Sequence, residues 1–352
     1  MNPTTETVES KGAATIEDIA QLLGVSRTTV SKAFTGYGRM SEKTREAVLK
    51  TAGELGYQPN VHAQRLTNGH CRNTIGIFTT GLDYGVGVRK LHAIQNLLAA
   101  HQYDVPVYAC PDGETMALAD QTALLRSLCV QRPQAIICTT SLIQRDSVRE
   151  LVQYQNNGGI VVSYDHSPQM DCDHVFFDRV ENTYRATRHL LELGHRKIGF
   201  YNVHVLDPVR VEGFRRALAE YHLDIREDWL FYGGRDEEGG VILARQFLQL
   251  PPHNRPTAMC IVNDMAAVTF IAELERAGLQ IPQELSVVGH DDLPLAQYFT
   301  LPLTTASHPV SAIAENLVAL LRSRLDGSYH GPARKITVFG DLVVRRSAIA
   351  RE

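Results

Sequence analysis

The sequence predicts an α/β protein in which a small N-terminal unit of three helices and a hinge precedes a larger core of two lobes with parallel sheets. Two patterns predict this division. The first part of the chain shows short helices with apolar stripes, and from Thr74 onward short β-branched runs alternate with amphipathic stretches. The 352 residues suffice for two or three domains at about 150 residues each.

The charge of the chain is small and unevenly distributed. The whole chain carries 35 Lys+Arg and 39 Asp+Glu, a formal net charge of -4. Residues 1–72 hold nine basic and seven acidic residues, whereas the remaining residues hold 26 basic and 32 acidic ones. A uniformly basic coat for nucleic acid or membrane is therefore excluded, and any such contact must be local.

Neither a membrane location nor metal chemistry is predicted. No apolar run approaches the roughly 18 residues that span a bilayer, and the polar N-terminus lacks a signal core, so the protein is expected in the cytosol. The stretch Asp171–His174 offers metal-ligand types, but it has no second ligand set. No cofactor is expected, and no C-x-x-C pair occurs among the six cysteines, Cys71, Cys110, Cys129, Cys138, Cys172 and Cys260.

The first helix carries clear signals at both of its ends. Thr15 is placed as its N-cap with Asp18 three residues on, and Gly24 suits the left-handed conformation at a helix C-terminus. Between them, apolar residues recur at the i, i+3, i+4, i+7 spacing of one helix face, namely Ile16, Ile19, Ala20 and Leu23. The spacing predicts a short amphipathic helix.

Two further helices follow the glycine turn. Ser26 is placed to cap the second helix, in which Val30, Ala33 and Phe34 share one side. The other side carries the polar row Arg27, Thr28, Ser31 and Lys32. The third helix begins near Ser41, stops at Gly56 and is expected to bury Ala47, Val48, Ala52 and Leu55. A helix, a tight turn and a second helix with exposed hydrogen-bonding groups form the helix-turn-helix arrangement that enters a DNA major groove.

The runs TIEDIAQLLGVSRTTVSKAF and SEKTREAVLKTAGELGYQPN, followed by NVHAQRL, closely resemble the headpiece of the lactose-repressor (LacI/GalR) family. The resemblance implies a DNA-binding transcriptional regulator. It implies that the residues Arg27, Thr28 and Lys32 read base edges, and that Thr15, Ser26 and Ser31 lie near phosphates, with Thr29 in the same DNA-binding set. A solvated helix face remains the alternative for Arg27 and Lys32.

The segment 59–73 is predicted to be a hinge, since it has no amphipathic core stripe and contains the turn dipeptide Asn68-Gly69. The resemblance implies that this hinge, with Asn60, Ala63 and Leu66 as DNA-binding residues, becomes helical on operator DNA and pairs with its symmetry mate. Leu66 would then lie between base pairs in the minor groove. The alternative is a linker leucine that packs on the core.

The resemblance extends to the core, through LGHRKIGFY, RVEGFRRAL, VNDMAA, IPQELSVVGHDD and LPLTTASHP, and it implies a two-lobed fold similar to the periplasmic sugar-binding proteins. The expected organisation is a disordered tail (1–14), a headpiece (15–58), the hinge (59–73) and an effector-binding and dimerisation core (74–352). Within the core, the first lobe is expected at about 74–164 plus 306–335, and the second at about 165–305 plus 336–352.

Six core positions are candidates for contact with a small-molecule effector. The resemblance implies Asp165, Arg210, Asn263, Asp264 and Asp291, at strand ends where open parallel sheets bind ligands, and His290 is a candidate because it stands beside Asp291. For each of them, an ion pair or a helix cap is the alternative. His290 stands where the family usually has an aromatic residue, and three interpretations are open: a cationic imidazole beside Asp291 and Asp292, a hydrogen bond to ligand, or simple packing.

The segment TTGLDYGVGVRK (79–90) departs from the family pattern, because it lacks the paired aromatic residues that follow the first core strand in many members. One wall of the effector pocket is thus in question. Gly85-x-Gly87 is a weak phosphate-cradle signal, and a flexible strand-to-helix turn is favoured over it. The chain contains no G-x-S-x-G, P-loop, H-E-x-x-H or G-x-G-x-x-G motif, so an enzyme is not expected.

The sequence therefore predicts a cytoplasmic, nucleoid-associated homodimer that binds a pseudo-palindromic operator and acts as a repressor. Its DNA affinity would be controlled by an effector between the core lobes, a sugar or sugar derivative. A nucleobase or nucleoside and a protein partner are the alternatives within this class. A sugar-binding-protein-like binder or an enzyme is the alternative of another class.

Overall fold

The computed structural model describes residues 15–35, 40–55, 57, 71–80, 82, 85–110, 118–139, 145–165, 169–203 and 208–351. The chain divides into two compact units, Met1–Arg72 and Asn73–Glu352. The predicted tail (1–14) and the hinge residues Asn60, Ala63 and Leu66 lie outside the described residues. Within the described ranges, no helix has both the length and the apolar character needed to cross a bilayer.

The first unit contains the three predicted helices, α1 (Ile16–Leu23), α2 (Arg27–Thr35) and α3 (Glu42–Glu54). The predicted capping box of α1 is present: the Asp18 amide donates to Thr15 Oγ1 at 3.3 Å, and the Thr15 amide donates to Asp18 Oδ2 at 2.7 Å. Gly24 ends α1 with φ 62°, which a side chain would strain. Local signals alone therefore set both ends of α1.

The core of the first unit is small and comes from all three helices. Its fully buried members are Ile19, Ala20, Val30, Ala33, Val48 and Ala52. The rings of Phe34 and Tyr57 lie against it with their centroids 5.5 Å apart. The prediction that Leu55 is buried is wrong, because Leu55 forms the C-cap of α3 and is 38% exposed, and Ala47 is only partly buried.

The described residues of the second unit form two six-stranded sheets. The strands and helices of the first lobe are β1 (Cys71–Thr80), α4 (Gly85–Ala100), β2 (Val107–Cys110), α5 (Leu118–Val130), β3 (Pro133–Cys138), α6 (Arg145–Asn156), β4 (Ile160–Tyr164), β5 (Asp173–Phe177), α12 (Val310–Leu325) and β11 (Lys335–Val338). The strand order of this sheet is β11-β5-β4-β3-β1-β2. Its buried core includes Ile77, Val162, Val175 and Leu317, which shows that α12 packs on this sheet.

The second lobe is built in the same way. Its strands and helices are α7 (Arg179–Glu192), β6 (Ile198–Asn202), α8 (Pro208–Glu220), β7 (Leu230–Tyr232), α9 (Asp236–Gln249), β8 (Ala258–Ile261), α10 (Asp264–Arg276), β9 (Ser286–Asp291), α11 (Pro294–Tyr298), β10 (Thr304–Ser307) and β12 (Leu342–Val343). The strand order is β12-β10-β9-β8-β6-β7, and β12 runs antiparallel to β10. The parallel register, for example Thr305 opposite Gly289, aligns the carboxyl ends of β9 and β10.

The lobe boundaries expected from the sequence need correction. β5 was expected in the second lobe but pairs with β4 and β11 in the first sheet, and β11 belongs wholly to that sheet as well. The chain therefore crosses between the lobes at 177–179, 307–310 and 338–342. A β-branched run predicts a strand, but it does not indicate which sheet the strand joins.

Asp173, at the start of β5, connects three parts of the first lobe. Its Oδ2 accepts from Arg324 Nε at 3.0 Å and from Arg334 Nη2 at 2.6 Å, and its Oδ1 accepts from the Arg334 amide at 2.7 Å. Burial raises the pKa of Asp173, but the hydrogen bonds from Arg324 and Arg334 outweigh it and lower the pKa to about 2. The carboxylate thus fixes β5 to α12 and to the segment before β11, and it is engaged with protein groups rather than offered to a metal.

Replacing Asp173 with alanine is expected to lower the free energy of unfolding by about 2 to 3 kcal/mol, because both arginines lose a buried partner. Their partial exposure lets water compensate some of the loss. Denaturant unfolding followed by the fluorescence of Trp229, the only tryptophan, measures the effect. Asp171→Ala is the matched control because Asp171 is exposed. Equal stability of the two variants would refute the structural role of Asp173.

Candidate DNA-binding face and ligand cleft

The polar row of α2 lies on the side of the helix opposite the core of the first unit. Ser26, Arg27, Thr28 and Lys32 are exposed, and Ser31 is half-buried. Ser26 caps the helix by accepting from the Thr29 amide at 3.1 Å, and its hydroxyl lies 2.8 Å from that of Thr29. Thr15, which caps α1, is also exposed. The sequence-predicted DNA-binding residues that the structure describes therefore all lie on the first two helices and the residues that cap them.

Arg27 is held by a partner that DNA can replace. Its Nε donates to Glu17 Oε1 at 2.7 Å, and both side chains are more than half exposed. An exposed pair of this kind contributes little, typically about 0.2 to 1 kcal/mol. The guanidinium can leave Glu17 for a base edge at low cost, and Arg27 is therefore available for contact with DNA.

In the second unit, a group of titratable side chains meets where the carboxyl ends of the strands of both lobes converge. We call this group the cleft cluster, and it consists of Lys90, Asp165, Arg179, Arg210, His290, Asp291 and His308. Asp165 follows β4 of the first lobe, Asp291 ends β9 of the second, and His308 and Arg179 lie on two of the segments that cross between the lobes. The cluster thus joins the two lobes.

Asp165 is the centre of the half of the cluster that belongs to the first lobe. Its buried carboxylate pairs with the ammonium group of Lys90, and a guanidinium nitrogen of Arg179 lies 3.8 Å from Oδ2. Burial alone raises the pKa of Asp165, but the charges of Lys90 and Arg179 outweigh it and hold the pKa well below its usual range. Asp165 is therefore ionised and already engaged with cations.

His308 stands between a carboxylate of each lobe. Its Nε2 lies 3.9 Å from Asp165 Oδ1, its Nδ1 lies 3.6 Å from Asp291 Oδ1, and its ring packs on Phe177 with the centroids 4.2 Å apart. Both distances exceed that of a hydrogen bond, and neither ring nitrogen has a hydrogen-bond partner among the described residues. Burial, followed by the charge of Lys90, lowers the pKa of His308 to about 4. The imidazole is consequently neutral near neutral pH.

His290 is buried and neutral. Its Nδ1 lies 2.8 Å from the carbonyl oxygen of Ile261, so Nδ1 carries the proton and Nε2 is an acceptor without a partner among the described residues. Burial, followed by the charge of Arg210, lowers the pKa of His290 to about 4. The interpretation of His290 as a cation is therefore wrong, because burial outweighs the nearby carboxylates.

Asp291 and Arg210 complete the half of the cluster that belongs to the second lobe. Burial raises the pKa of Asp291, but His308 and Arg210 outweigh it and hold the pKa below its usual value. One guanidinium nitrogen of Arg210 donates to the carbonyl oxygen of Val262 at 2.9 Å. Arg210 is thus fixed at the end of β8, beside Asp291.

Asn263 and Asp264 use their side chains inside the second lobe. Asn263 Oδ1 caps α10 by accepting from the Ala266 amide at 2.7 Å. Asp264, which is fully buried, accepts from the Leu293 amide at 2.8 Å and from the Thr305 hydroxyl at 2.6 Å. Asn263 thus forms a helix cap, the alternative named for it, whereas Asp264 forms buried hydrogen bonds to Leu293, which follows β9, and to Thr305 of β10.

The backbone of the cleft cluster is strained at its two carboxylates. Asp165 has φ 63°, Asp291 has φ 103°, and the next residue, Asp292, has φ 50°. Non-glycine residues in such regions cost about 1 to 3 kcal/mol each and persist where surrounding contacts impose them. Asp292 is held by Arg345 at 2.6 Å and accepts, through its carbonyl oxygen, from Arg89 of α4 at 2.9 Å. These contacts hold Asp292, the residue that follows Asp291, at the end of β9.

Sequence reasoning missed three members of the cluster, Lys90, Arg179 and His308. A signal existed for two of them: Lys90 ends the segment 79–90 that departs from the family pattern, and His308 lies in LPLTTASHP. Gly85 begins α4, and a side chain there would approach Leu293 within about 3.2 Å. The glycine thus permits close packing between α4 and the loop after β9, which supports the turn interpretation over a phosphate cradle.

A helix-turn-helix unit followed by a two-lobed core of parallel sheets defines a class of DNA-binding transcriptional regulators. Residues 15–60 match the model for bacterial regulatory proteins of the lacI family, and residues 187–348 match the periplasmic binding protein-like domain. The chain is 30% identical to the HTH-type transcriptional repressor PurR of Vibrio parahaemolyticus serotype O3:K6, over 95% of this chain and 98% of the relative. The chain belongs to the lacI family.

Other comparisons agree with this assignment. The HTH-type transcriptional repressor PurR of Yersinia pestis bv. Antiqua is 30% identical over 95% of this chain and 96% of the relative. A crystal structure of the Lac repressor bound to ONPG in the repressed state is similar with a TM-score of 0.80 and 25% identity, covering 95% of this chain and 99% of that one. The similarity thus includes both the headpiece and the core.

Proposed function

We propose that the protein represses transcription as a homodimer bound to a pseudo-palindromic operator, and that a small molecule in the cleft between the core lobes changes its affinity for that DNA. The observation that carries this proposal is the cleft cluster itself, in which His308 and Arg179 lie on segments that cross between the lobes. A ligand that contacts these side chains acts directly on the chain that connects the lobes. We infer a regulator rather than an enzyme, working in the cytoplasm on the nucleoid.

On the DNA side, α2 would enter the major groove. Arg27 and Lys32 would donate to the O6 and N7 of guanine, and Thr28 would contact a neighbouring base edge. Phosphates would be bound by the hydroxyl-bearing residues Thr15, Ser26, Thr29 and Ser31. Asn60, Ala63 and Leu66 of the hinge would contact the minor groove.

On the effector side, Asp165, Arg210, His290 and Asp291 would contact the ligand, a sugar or a sugar derivative. Asn263 and Asp264 would act through the loop they order rather than by direct contact, because Asp264 is fully buried with both carboxylate oxygens engaged. Effector binding would change the angle between the lobes at the crossing segments, and the first lobe follows directly after the hinge. A coupling of about 1 to 3 kcal/mol between the two sites is typical.

Selection of DNA fragments from a random pool by the purified full-length protein tests the DNA-binding half of this proposal. We expect a palindromic consensus and an affinity that falls steeply with salt, since each phosphate contact releases counterions. A selected pool without a consensus, or an affinity that is flat between low and moderate salt, would contradict the proposal. Repeating the measurement with sugars that shift the melting temperature then tests the coupling.

A further inference from the structure

We propose that the effector is an anionic polyol, a sugar acid or a sugar phosphate, and that Arg179 binds its charged group. This inference rests on the proposed function and specifies the chemical class of ligand that the cleft accepts. It is carried by the charges of the cleft cluster, by the position of Arg179 and by buried polar atoms of the cluster that have no hydrogen-bond partner among the described residues.

Among the described residues, two fixed cations share one carboxylate in the half of the cleft cluster that belongs to the first lobe. Lys90 contacts Asp165 directly, and the guanidinium of Arg179 lies 3.8 Å from the same oxygen. The neighbouring Asp292 does not change this balance, because Arg345 pairs with it at 2.6 Å. The two histidines of the cluster are neutral near neutral pH. Since a cation without a full partner is unfavourable in a desolvated site, an anionic ligand should stabilise the cluster more than a neutral ligand does.

Arg179 is the cation with the weakest pairing inside the protein. Its guanidinium lies 3.8 Å from Asp165 Oδ2, beyond hydrogen-bond distance, while Lys90 contacts the same oxygen directly. It packs over the ring of Phe177 with its Cζ 5.3 Å from the centroid, and 16% of the side chain is exposed. The planar guanidinium is thus oriented by the ring and remains accessible, as bidentate binding of a carboxylate or phosphate requires.

The neutral, hydroxyl-bearing part of the ligand has its own partners. His290 Nε2 is a buried acceptor, and both ring nitrogens of His308 and the Oδ1 of Asp165 are buried without a hydrogen-bond partner among the described residues. Buried polar atoms in folded proteins are nearly always hydrogen-bonded. Hydroxyl groups donate to such acceptors and accept from the remaining imidazole N–H, so a polyol attached to the anionic group fits them.

Thermal melting of the full-length protein with inorganic phosphate, compared with chloride at equal ionic strength, tests the anion site. We expect phosphate to stabilise the wild type, and Arg179→Gln to weaken phosphate binding about tenfold or more, as the loss of charge-assisted hydrogen bonds predicts. Arg179→Lys should give an intermediate value. Arg188→Gln is the matched control, because Arg188 lies on the same helix and pairs with Glu192 at an exposed site. Phosphate that binds the headpiece affects all variants equally, so the difference between variants reports on the cleft.

Matched probes then identify the ligand class and its source. D-Gluconate and D-glucose 6-phosphate should raise the melting temperature more than D-glucose, and the preference for one of the two anions distinguishes a carboxylate from a phosphate. The inference would be overturned if phosphate did not stabilise the wild type, or if it stabilised the wild type and Arg179→Gln equally. It would also be overturned if D-glucose bound as tightly as both anions. The same protein samples are used for the operator selection. If they select an operator but phosphate does not stabilise them, only this inference is refuted. If they select no operator, the proposed function is refuted.

Discussion

The double replacement Arg27→Ala and Lys32→Ala is expected to reduce affinity for the selected operator by about 10² to 10⁴-fold, because each base-reading contact contributes roughly 1 to 3 kcal/mol. Alanine keeps α2 helical, and both side chains are exposed, so the first unit should remain folded. The loss of the Arg27–Glu17 pair adds little, because that pair is exposed on both sides. The measurement is a binding titration against the operator and a scrambled duplex at one salt concentration.

The two duplexes separate base reading from simple charge attraction. Loss of a base contact lowers the preference for the operator over the scrambled sequence, whereas loss of a phosphate contact weakens both to a similar extent. The control is Lys50→Ala, which removes an exposed charge from α3, where it pairs only weakly with Glu54 at 3.9 Å. If the double variant kept its preference for the operator and lost affinity equally for both duplexes, α2 would not be the reading helix.

The three described helices of the first unit could be predicted from the sequence, and the reason is physical. The cap at Thr15, the left-handed Gly24 and the stripe that buries Ile19 and Val30 are set by residues within a few positions of one another. Such interactions are visible in the order of the residues. The larger error of burial, Leu55, lies at the end of α3, where the helix stops covering the core, and Ala47 is only partly buried.

The cleft cluster could be predicted only in part, because its contacts join residues that are far apart in the chain. Lys90 and Asp165 come from different βα units, and His308 reaches them from a segment that returns from the second lobe. Periodicity predicts that each strand exists, but it contains no information on which strand ends meet. For the same reason, β5 was placed in the wrong lobe and Arg179, which follows it, was missed.

The resemblance identified positions rather than contacts. It selected Asp165, Arg210 and Asp291, which the structure places together with His290, and also Asn263 and Asp264, which the structure engages in a helix cap and a buried network. A carboxylate that accepts a backbone amide and a hydroxyl has the same sequence signature as one that binds a ligand. Only the three-dimensional contacts distinguish the two roles.

Acidification is expected to destabilise the core between pH 6.5 and about pH 4, chiefly through His290 and His308. Burial lowers the pKa of each from the ordinary 6.5 to about 4 in the folded state, so the unfolded chain binds the proton first. Stability is therefore complete above pH 6.5 and decreases as the pH falls through this window. Each histidine contributes up to about 1.4 kcal/mol per pH unit. Burial also lowers the pKa of His174, His189 and His195, which therefore add to the same pH dependence. Single variants of His290 and His308 separate the contribution of the cleft from that of these three histidines.

His308→Gln and His290→Gln should each flatten the dependence of the unfolding free energy on pH, because glutamine keeps a polar side chain that does not titrate. Asp165 and Asp291, which face His308, have lowered pKa values and therefore lose their contribution only at a pH below this window. Denaturant unfolding followed by Trp229 fluorescence measures the slope, and His253→Gln on the exposed surface is the control. If His308→Gln left the slope of the unfolding free energy against pH unchanged, water would reach this imidazole and the cleft would be open around it. A directly titrated His308 pKa near 6.5 would mean the same.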